Sequence, residues 1–176
     1  MARQELRIIV EGMDGSGKTT LINSLMKDFP QLELVRNDLG PEQDFDTWWP
    51  QQMDREQSDT IPIHDRFFYS ELIYGPVIRG KINANPDMIQ TMAWFLRLSG
   101  LLIYARPTTD QLRQGIKVQE QMEGVHDRFT ELLELYDSVM SAEMNWYSNR
   151  FIHYTWEMDE YQLKEHVSGY LSGDIR

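Results

Sequence analysis

The chain has 176 residues, of which 41% are hydrophobic and 26% are charged, and its formal net charge is −11. This length fits one domain over residues 1–176, since single domains usually hold about 100 to 200 residues. The acidic balance disfavours long nucleic acid as a partner, because such binding depends on lysine and arginine facing the phosphates. No apolar run approaches the roughly 18 residues of a membrane helix, so we expect no membrane partner.

The sequence contains no cysteine, which excludes disulfides and thiolate chemistry. The first residues pass from charged positions directly into an apolar, strand-like run, without the apolar core of a signal peptide. The four histidines show no metal-ligand spacing, so we expect structural or surface roles for them. Together these features predict a cytoplasmic protein.

Five short apolar segments predict buried strands, at residues 6–11, 32–35, 60–64, 101–105 and 150–155. Helical periodicity is found after each strand, and it begins at Lys18 after the first. Alternating strands and helices imply right-handed crossovers and a parallel sheet covered on both faces. We therefore expect a three-layer α/β/α fold with a five-stranded parallel sheet.

Several helix ends can be predicted from local signals. Asn85 is the expected cap of a helix that has Pro86 in its first turn. Pro50 is expected to start a short helix, and Thr109 or Asp110 is expected to cap a charged stretch. The last helix should place a set of apolar residues inward, namely Tyr161, Leu163, Val167 and Leu171.

A phosphate-binding loop is predicted at residues 11–20, which read EGMDGSGKTT. Residues 12–19 fit G-x-x-x-x-G-K-[ST] between a predicted strand and a predicted helix, as this motif requires. Backbone N–H groups of such a loop converge on phosphates at a helix N-terminus. Lys18 should reach the β and γ phosphates of ATP, and Thr19 should ligate Mg²⁺. The predicted ATP-binding residues are Gly12, Gly15, Ser16, Gly17, Lys18, Thr19 and Thr20. With this loop after the first strand, we expect a P-loop fold with the strand order 2-3-1-4-5.

The same loop carries a carboxylate, Asp14, although it must attract anions. This residue fits if its side chain points out of the loop toward a second substrate, because a carboxylate is a good acceptor for a sugar hydroxyl. A solvated aspartate is the alternative interpretation. We expect the loop to contact both substrates, the donor through its N–H groups and the acceptor through Asp14.

A second candidate motif, HDRFFYSELIYG, occupies residues 64–75 and follows the third predicted strand. Ligands of an open parallel sheet gather at the carboxyl ends of its strands, so Asp65 and Arg66 should share an edge with the phosphate loop. Asp65 could hold Mg²⁺ directly or through water, and Arg66 could bind a phosphate with its planar guanidinium. Alone, an Asp-Arg pair is more often a surface ion pair.

The phosphate loop with its aspartate, the Asp-Arg pair, Ser70 and Tyr74 stand in the order and spacing of the thymidylate kinase family, which the chain resembles. The resemblance implies a homodimer that phosphorylates a deoxynucleoside monophosphate, such as dTMP, with ATP. It implies that Asp14 accepts from the sugar 3′-hydroxyl, that Arg66 holds the acceptor phosphate, and that Asp65 organises the Mg²⁺ shell. Tyr74 would exclude a 2′-hydroxyl.

The resemblance also implies further contacts with the acceptor. Arg36, which follows the second strand, matches an arginine that meets the acceptor phosphate. Aromatic side chains in the segment after it would stack on the base, and those available are Phe45, Trp48 and Trp49.

Two positions depart from the family pattern. Glu71 stands where the family often reads the base, and an ionised carboxylate only accepts hydrogen bonds, so cytosine or a modified pyrimidine also deserves testing. Gly15 leaves the loop without the basic residue of some members, in which case a mobile lid supplies the charge. The predicted lid is residues 111–125, where Arg113 and Lys117 lie one helical turn apart and join Lys18, Asp65 and Arg66 as candidate catalytic residues. A solvated helical face is the alternative for both lid residues.

Two other functions stay open. Relatives of this architecture phosphorylate hydroxyl groups, so the acceptor could be a nucleoside or a hydroxymethylated base in DNA, with Glu11, Asp65 or Glu71 as general base. The net acidity argues against the DNA reaction. A switch or assembly factor that binds ATP without a small acceptor belongs to a different class.

Overall fold

The centre of the fold is a sheet of parallel strands, seen here in a computed structural model that describes residues 6–37, 44–53, 59–117 and 123–175. The strands are β1 (Arg7–Glu11), β2 (Leu32–Arg36), β3 (Ile61–Asp65), β4 (Gly100–Ala105) and β5 (Phe151–Tyr154). Their order is β2-β3-β1-β4-β5, which confirms the predicted topology. Asp65 pairs in register with Val10 of β1 and Arg36 of β2, so three strands end level at one edge.

Helices connect the strands. They are α1 (Lys18–Asp28), α2 (Phe45–Met53), α3 (Phe68–Tyr74), α4 (Pro86–Ser99), α5 (Thr109–Lys117), α6 (Phe129–Tyr147) and α7 (Glu160–Ser172). A π-helix, Gly75–Arg79, continues α3, and a 3₁₀ turn, Ser148–Arg150, precedes β5. In the part of the chain that the structure describes, none of these helices is long and apolar enough to cross a membrane.

Two hydrophobic cores lie on opposite faces of the sheet. Ile8 and Val10 of β1 pack with α1 and α7, while Ile9 between them packs on the other face with α3, α4 and α6. Successive strand residues point to opposite faces, and every residue of β1 is buried because helices cover both. The three-layer α/β/α architecture expected from the sequence is confirmed.

Side-chain caps set the starts of α4 and α5. Asn85 accepts a hydrogen bond from the Asp87 N–H at 2.9 Å, as predicted for α4. Helix α5 is capped by Thr108 rather than by Thr109 or Asp110. The Thr108 hydroxyl accepts from the Gln111 N–H at 3.3 Å, and the Gln111 side chain accepts from the Thr108 N–H at 2.8 Å. This reciprocal pair is a capping box.

The expectation that Pro50 starts a helix is wrong, because it lies inside α2. The start of α2 is set by Asp44, whose carboxylate accepts hydrogen bonds from the Thr47 N–H at 3.3 Å and the Thr47 hydroxyl at 2.6 Å. This cap precedes the aromatic residues and places the helix start one turn earlier than the proline signal indicates.

A buried hydroxyl anchors α7 to the sheet. The Tyr170 hydroxyl accepts from the Arg7 N–H at 2.9 Å and lies 2.6 Å from the Ser99 carbonyl oxygen, to which it can donate. Val167 continues the same buried face of α7. Tyr161, which the sequence pattern placed inward, is 70% exposed because it lies in the first turn, off that face.

Replacing Tyr170 by Phe should lower the free energy of unfolding by about 1–3 kcal/mol, because buried backbone groups of Arg7 and Ser99 each lose a hydrogen bond. Urea unfolding followed by circular dichroism would measure the change. Tyr161→Phe removes an exposed hydroxyl and should change stability by less than about 0.5 kcal/mol. Equal losses in the two variants would contradict this account of the anchor.

Candidate active site

The phosphate loop joins β1 to α1 through a tight turn. Gly12, Gly15 and Gly17 have φ angles of +150°, +75° and +86°, which side chains rarely adopt. A Cβ atom on Gly12 would lie 2.4 Å from the Ala105 carbonyl oxygen at the end of β4. The loop therefore needs glycine both for its conformation and for its packing, and it places the predicted ATP-binding residues in one continuous turn.

Lys18 is buried within this turn, whereas Thr19 and Thr20 are exposed in the first turn of α1. The Lys18 Nζ donates a hydrogen bond to the Met13 carbonyl oxygen at 2.8 Å. Burial, together with the positive charge of Arg66, lowers the pKa of Lys18 to about 8. A polyphosphate in the loop would favour the charged ammonium form.

Asp14 faces the Asp-Arg motif across the edge of the sheet. Its Oδ1 accepts a hydrogen bond from Arg66 Nη2 at 2.5 Å, and its Oδ2 accepts from the Tyr74 hydroxyl at 3.1 Å. Burial opposes the carboxylate, but the charges of Arg66 and Lys18 hold the pKa of Asp14 below its ordinary value. The carboxylate therefore stays ionised beside the loop, with its side chain turned toward the second motif.

Arg66 is held from several directions. Its Nη1 donates to the Ser70 hydroxyl at 3.0 Å and to the Tyr136 hydroxyl at 2.8 Å, and its guanidinium lies 5.0 Å from the centre of the Tyr74 ring. Its backbone has φ +68°, an uncommon conformation for a residue with a side chain. Burial opposes its charge, yet the two tyrosines and Asp14 hold the pKa of Arg66 above its ordinary value.

Glu11 organises the turn that carries Arg66. Its buried carboxylate accepts hydrogen bonds from the Phe67 N–H at 2.7 Å, the Ser70 hydroxyl at 2.7 Å and the Ser70 N–H at 3.2 Å. The Tyr136 hydroxyl lies 3.4 Å away. Burial raises the pKa of Glu11 despite these donors and the nearby cations. The sequence suggested Glu11 only as a general base, and it did not place Tyr136 among the candidate site residues.

The two motifs line one cleft, as the sheet order predicts. Its walls are formed by residues of the phosphate loop, the start of α1 and the end of β3, namely Asp14, Gly15, Gly17, Lys18, Thr19, Thr20, Asp65 and Arg66. One anion held by the loop and a second held by Arg66 would therefore meet in the same space.

Asp65 and Thr19 offer oxygen atoms suited to Mg²⁺, which prefers such ligands. The Asp65 Oδ1 is buried and, among the described residues, has no hydrogen-bond partner. Nowhere in the described ranges do three His, Asp or Glu side chains cluster as a metal site. The pair fits Mg²⁺ nonetheless, because this ion is usually bound by one or two protein oxygens together with substrate phosphates and water.

The remaining residues predicted for the acceptor occupy different environments. Arg36 is exposed at the end of β2, level with Asp65. Phe45 and Trp49 are buried and pack against each other, with ring centres 4.9 Å apart, whereas Trp48 is half-buried. Of the three aromatic residues, Trp48 has the most accessible ring.

Glu71 is buried in contacts within the protein. Its Oε2 pairs with Arg79 of the π-helix, and its Oε1 accepts from the Asn83 N–H at 2.7 Å. In this arrangement the carboxylate holds α3 to the segment that follows it. Reading a base through Glu71 would require these contacts to rearrange.

The predicted lid begins on α5, and residues 118–122 of it lie outside the described part of the chain. Arg113 and Lys117 are exposed and border a small cavity beside His126 and Asp127, and the phosphate cleft has other walls. Arg113 also lies over the Phe129 ring, 5.0 Å from its centre. The structure therefore places both lid cations near the loop but does not bring them into the cleft.

Helix α5 touches the phosphate loop through two glycines. A Cβ on Gly15 would lie 2.7 Å from the Gly115 carbonyl carbon, and a Cβ on Gly115 would lie 2.4 Å from the Gly15 carbonyl oxygen. A basic side chain at position 15 would collide with α5. No sequence pattern indicated this contact, because Gly115 looks like an ordinary weak position in a helix.

Trp156 is a second residue that sequence reasoning missed. Its indole N–H donates to the Ser16 carbonyl oxygen at 2.9 Å, although 140 residues separate the two positions. The sequence feature that could have identified Trp156 as a site residue is its position just after the last predicted strand, because that strand ends at the same edge of the sheet as the loop.

No model of a known protein family matches the chain, and no curated protein matches its sequence. Solved structures do match its fold. The YorR protein of Bacillus subtilis, solved in complex with phosphorylated GDP, aligns with TM-score 0.67 and 19% identity over 96% of each chain. Deoxyadenosine kinase of M. mycoides with bound dCTP aligns with TM-score 0.59 and 18% identity, over 95% of this chain and 99% of that one.

Thymidylate kinase of Candida albicans aligns with TM-score 0.61 and 12% identity, over 98% of this chain and 92% of that one. At such identities the likeness is one of fold. It extends over nearly the whole chain, and it confirms the architecture that the sequence motifs predicted. The chain thus has the P-loop fold found in nucleoside and nucleotide kinases.

Tripolyphosphate, which has the phosphate chain of a nucleoside triphosphate but no base, tests the loop alone. Gly115→Ala should weaken its binding about tenfold, because the added methyl group pushes α5 away from Gly15 and disturbs the loop. Isothermal titration calorimetry would measure the affinity, and thermal melting would check the fold. Gln114→Ala, an exposed neighbour on α5, should leave the affinity unchanged. Unaltered binding by the Gly115 variant would rule out a functional contact between the two glycines.

Affinity for ATP should fall as the pH rises through about 8, because Lys18 of the free protein then loses the proton that the bound phosphates favour. The loss should approach tenfold per pH unit between about pH 8 and pH 9.5. Lys18→Arg stays charged over this range and should lack the pH-dependent loss. A parallel decline in both proteins would assign the titration to another group.

Proposed function

We propose that the chain transfers the γ-phosphoryl group of ATP to the phosphate of a deoxynucleoside monophosphate, with a pyrimidine nucleotide such as dTMP as the expected acceptor. The observation that carries this proposal is the single cleft lined by the phosphate loop, Asp14 and Arg66. Its walls suit two anions that would otherwise repel each other. The solved structures that share the fold include a thymidylate kinase and a deoxyadenosine kinase, which supports a nucleotide or nucleoside as acceptor.

The reaction needs alignment and charge neutralisation rather than a nucleophilic side chain. An oxygen of the acceptor phosphate forms a bond to the γ phosphorus while the bond from that phosphorus to the β–γ bridging oxygen breaks, and ADP leaves. Lys18 stabilises charge on the transferring group, and Arg66 aligns the acceptor phosphate. Mg²⁺ held at Thr19 and Asp65 would neutralise charge on the β and γ phosphates.

The acceptor sugar would lie over Asp14 and Tyr74. The Asp14 carboxylate is fixed by Arg66 and by the Tyr74 hydroxyl, so it is positioned to accept a hydrogen bond from a 3′-hydroxyl. The Tyr74 ring would occupy the space of a 2′-hydroxyl and favour deoxyribose. Arg36, level with Asp65 on the neighbouring strand, would add a second contact to the acceptor phosphate, and Trp48 would stack on the base.

Closure of the lid would bring a cation to the transferring phosphate and exclude water. Gly115 already touches the loop, and Arg113 and Lys117 lie on the other side of α5 because each is two residues away from it, so closure would require α5 to turn these cations toward the cleft. Exclusion of water matters because it suppresses loss of ATP to hydrolysis.

Transfer to a hydroxyl group would instead need a carboxylate base. Two of the candidates have other contacts, since Glu11 accepts several internal hydrogen bonds and Glu71 pairs with Arg79. This leaves Asp65, which a Mg²⁺ ion would also require. The geometry therefore favours an acceptor that brings its own phosphate oxygen as the nucleophile.

Lys18→Ala and Arg66→Ala should each lower phosphoryl transfer to dTMP at least about 100-fold, because each removes a charge that the transition state needs. Radiolabelled ATP and thin-layer chromatography would measure product, and circular dichroism would confirm that each variant folds. Arg128→Ala removes an exposed arginine paired with Glu131 and should retain activity. Normal turnover by either of the first two variants would contradict the assignment.

The class of acceptor is decided by the same assay with a panel of common and modified deoxynucleoside monophosphates, nucleosides and hydroxymethylated DNA. We expect product from monophosphates. Product from nucleosides or DNA alone would move the assignment to a hydroxyl kinase, and ATP binding without any product would favour a switch.

We also propose that a second copy packs on an apolar surface formed by Trp94 and Leu98 of α4 with Met144 and Trp146 of α6. Both tryptophans are 63% exposed. Arg97 pairs with Glu143 between them, so the surface carries compensated charge. Two copies that each carry a net charge of −11 repel at long range, so an apolar contact such as this face would have to offset that repulsion.

Trp94→Glu should shift a dimer toward monomer, because it places a charge in the apolar contact. Size-exclusion chromatography with light scattering would measure the mass. Tyr161→Glu, a matched change on the exposed side of α7, should leave the mass unaltered. A monomeric parent protein would remove this part of the proposal.

A further inference from the structure

Trp156 lies against the phosphate loop but leaves much of its ring open. The indole N–H donates to the Ser16 carbonyl oxygen at 2.9 Å, and a Cβ on Gly17 would lie 2.8 Å from the same nitrogen. The residue is nevertheless 42% exposed. One edge of the indole is thus fixed by the loop, while the rest of the ring faces outward at the edge of the sheet.

The sheet order separates Trp156 from the acceptor residues. Strand β3, which leads into Arg66, lies on one side of β1, and β4 and β5 lie on the other. Trp156 follows β5 in a turn where the Met158 N–H donates to the Thr155 carbonyl oxygen at 3.1 Å. A donor whose phosphates occupy the loop therefore has its nucleoside directed toward β4 and β5, because Asp14 and Arg66 occupy the opposite side.

The polar side chains beside Trp156 bind each other. Gln111 Nε2 donates to Glu157 Oε1 at 2.7 Å, which joins the start of α5 to the turn after β5. Because the neighbouring amide and carboxylate are hydrogen-bonded to each other, the surface available to a ligand at this position is the aromatic face of Trp156. Any nucleobase can stack on the indole ring, because every base has a π face.

We propose that Trp156 is the platform on which the nucleobase of the phosphoryl donor stacks, and that the donor site therefore accepts GTP about as well as ATP. This inference rests on the proposed function, since it takes the loop as the site of the donor phosphates. It assigns the two sides of β1 to different substrates. The acceptor is recognised through hydrogen bonds and charge, and the donor base is recognised through its shape as a flat ring.

The test compares nucleoside triphosphates with tripolyphosphate, which has the phosphate chain but no base. Isothermal titration calorimetry would give the affinities of the whole protein and of Trp156→Ala for ATP, GTP and tripolyphosphate. We expect Trp156→Ala to lose about 10-fold to 100-fold in affinity for ATP and for GTP, which is the usual range for one stacked base. The affinity of Trp156→Ala for tripolyphosphate should differ from that of the parent protein by less than about twofold if the loop keeps its shape.

Two matched variants separate stacking from support of the loop. Trp156→Phe keeps an aromatic ring but lacks the N–H that meets Ser16, and it should retain ATP affinity within about threefold. Tyr161→Ala removes another exposed aromatic residue of the same region and should change none of the affinities.

An equal loss for tripolyphosphate and ATP in Trp156→Ala would overturn the inference, because the residue would then only support the loop. Unchanged ATP affinity, or a preference of the parent protein for ATP over GTP beyond about tenfold, would overturn it as well. These outcomes are distinct from failure of the proposed function. That function would fail if nucleotides bind and no acceptor becomes phosphorylated, while the comparison of affinities would still decide the role of Trp156.

Discussion

The ion pair between Asp14 and Arg66 is the interaction on which the candidate site depends. It resolves the conflict of a carboxylate in an anion-binding loop, because the guanidinium neutralises that charge and holds the side chain outside the loop. The pair is supported in turn by Glu11, which fixes the turn after β3 through the Phe67 and Ser70 N–H groups. Such support offsets the unfavourable backbone conformation of Arg66, which costs on the order of 1–3 kcal/mol.

Close packing of backbone constrains the phosphate loop as strongly as charge does. Gly12 lies against the end of β4, and Gly15 lies against Gly115 of α5. The second contact gives a physical reason for the missing basic residue in the loop, since helix backbone fills the space that its side chain would need. In the proposed transfer, positive charge for the transferring phosphate would therefore come from the lid, from Mg²⁺ or from Lys18, whose pKa burial lowers to about 8.

The order of the strands divides the site into two halves around β1. Motifs that end β3 reach the loop from one side, and the segments after β4 and β5 reach it from the other. The cleft at this edge holds two cations, Lys18 and Arg66, in a protein whose net charge is −11. In the proposed function, the division would give each of the two anionic substrates its own side of β1. The exposed tryptophans of α4 and α6 belong to the face that we propose for contact with another copy.

The sequence by itself determined the strand order, the three layers, the phosphate loop and the meeting of Asp14 with Arg66. The layers and the loop follow from local periodicity and glycine positions, and the strand order follows from the P-loop fold that the loop indicates. The meeting of the two residues follows from the rule that parallel strands end at one edge. Only the tertiary structure decided that Glu71 pairs with Arg79, that Trp49 is buried while Trp48 is half-exposed, and that Gly115 and Trp156 touch the loop. Each of these depends on the angle and depth at which helices pack on the sheet, and residue spacing along one chain does not encode those distances.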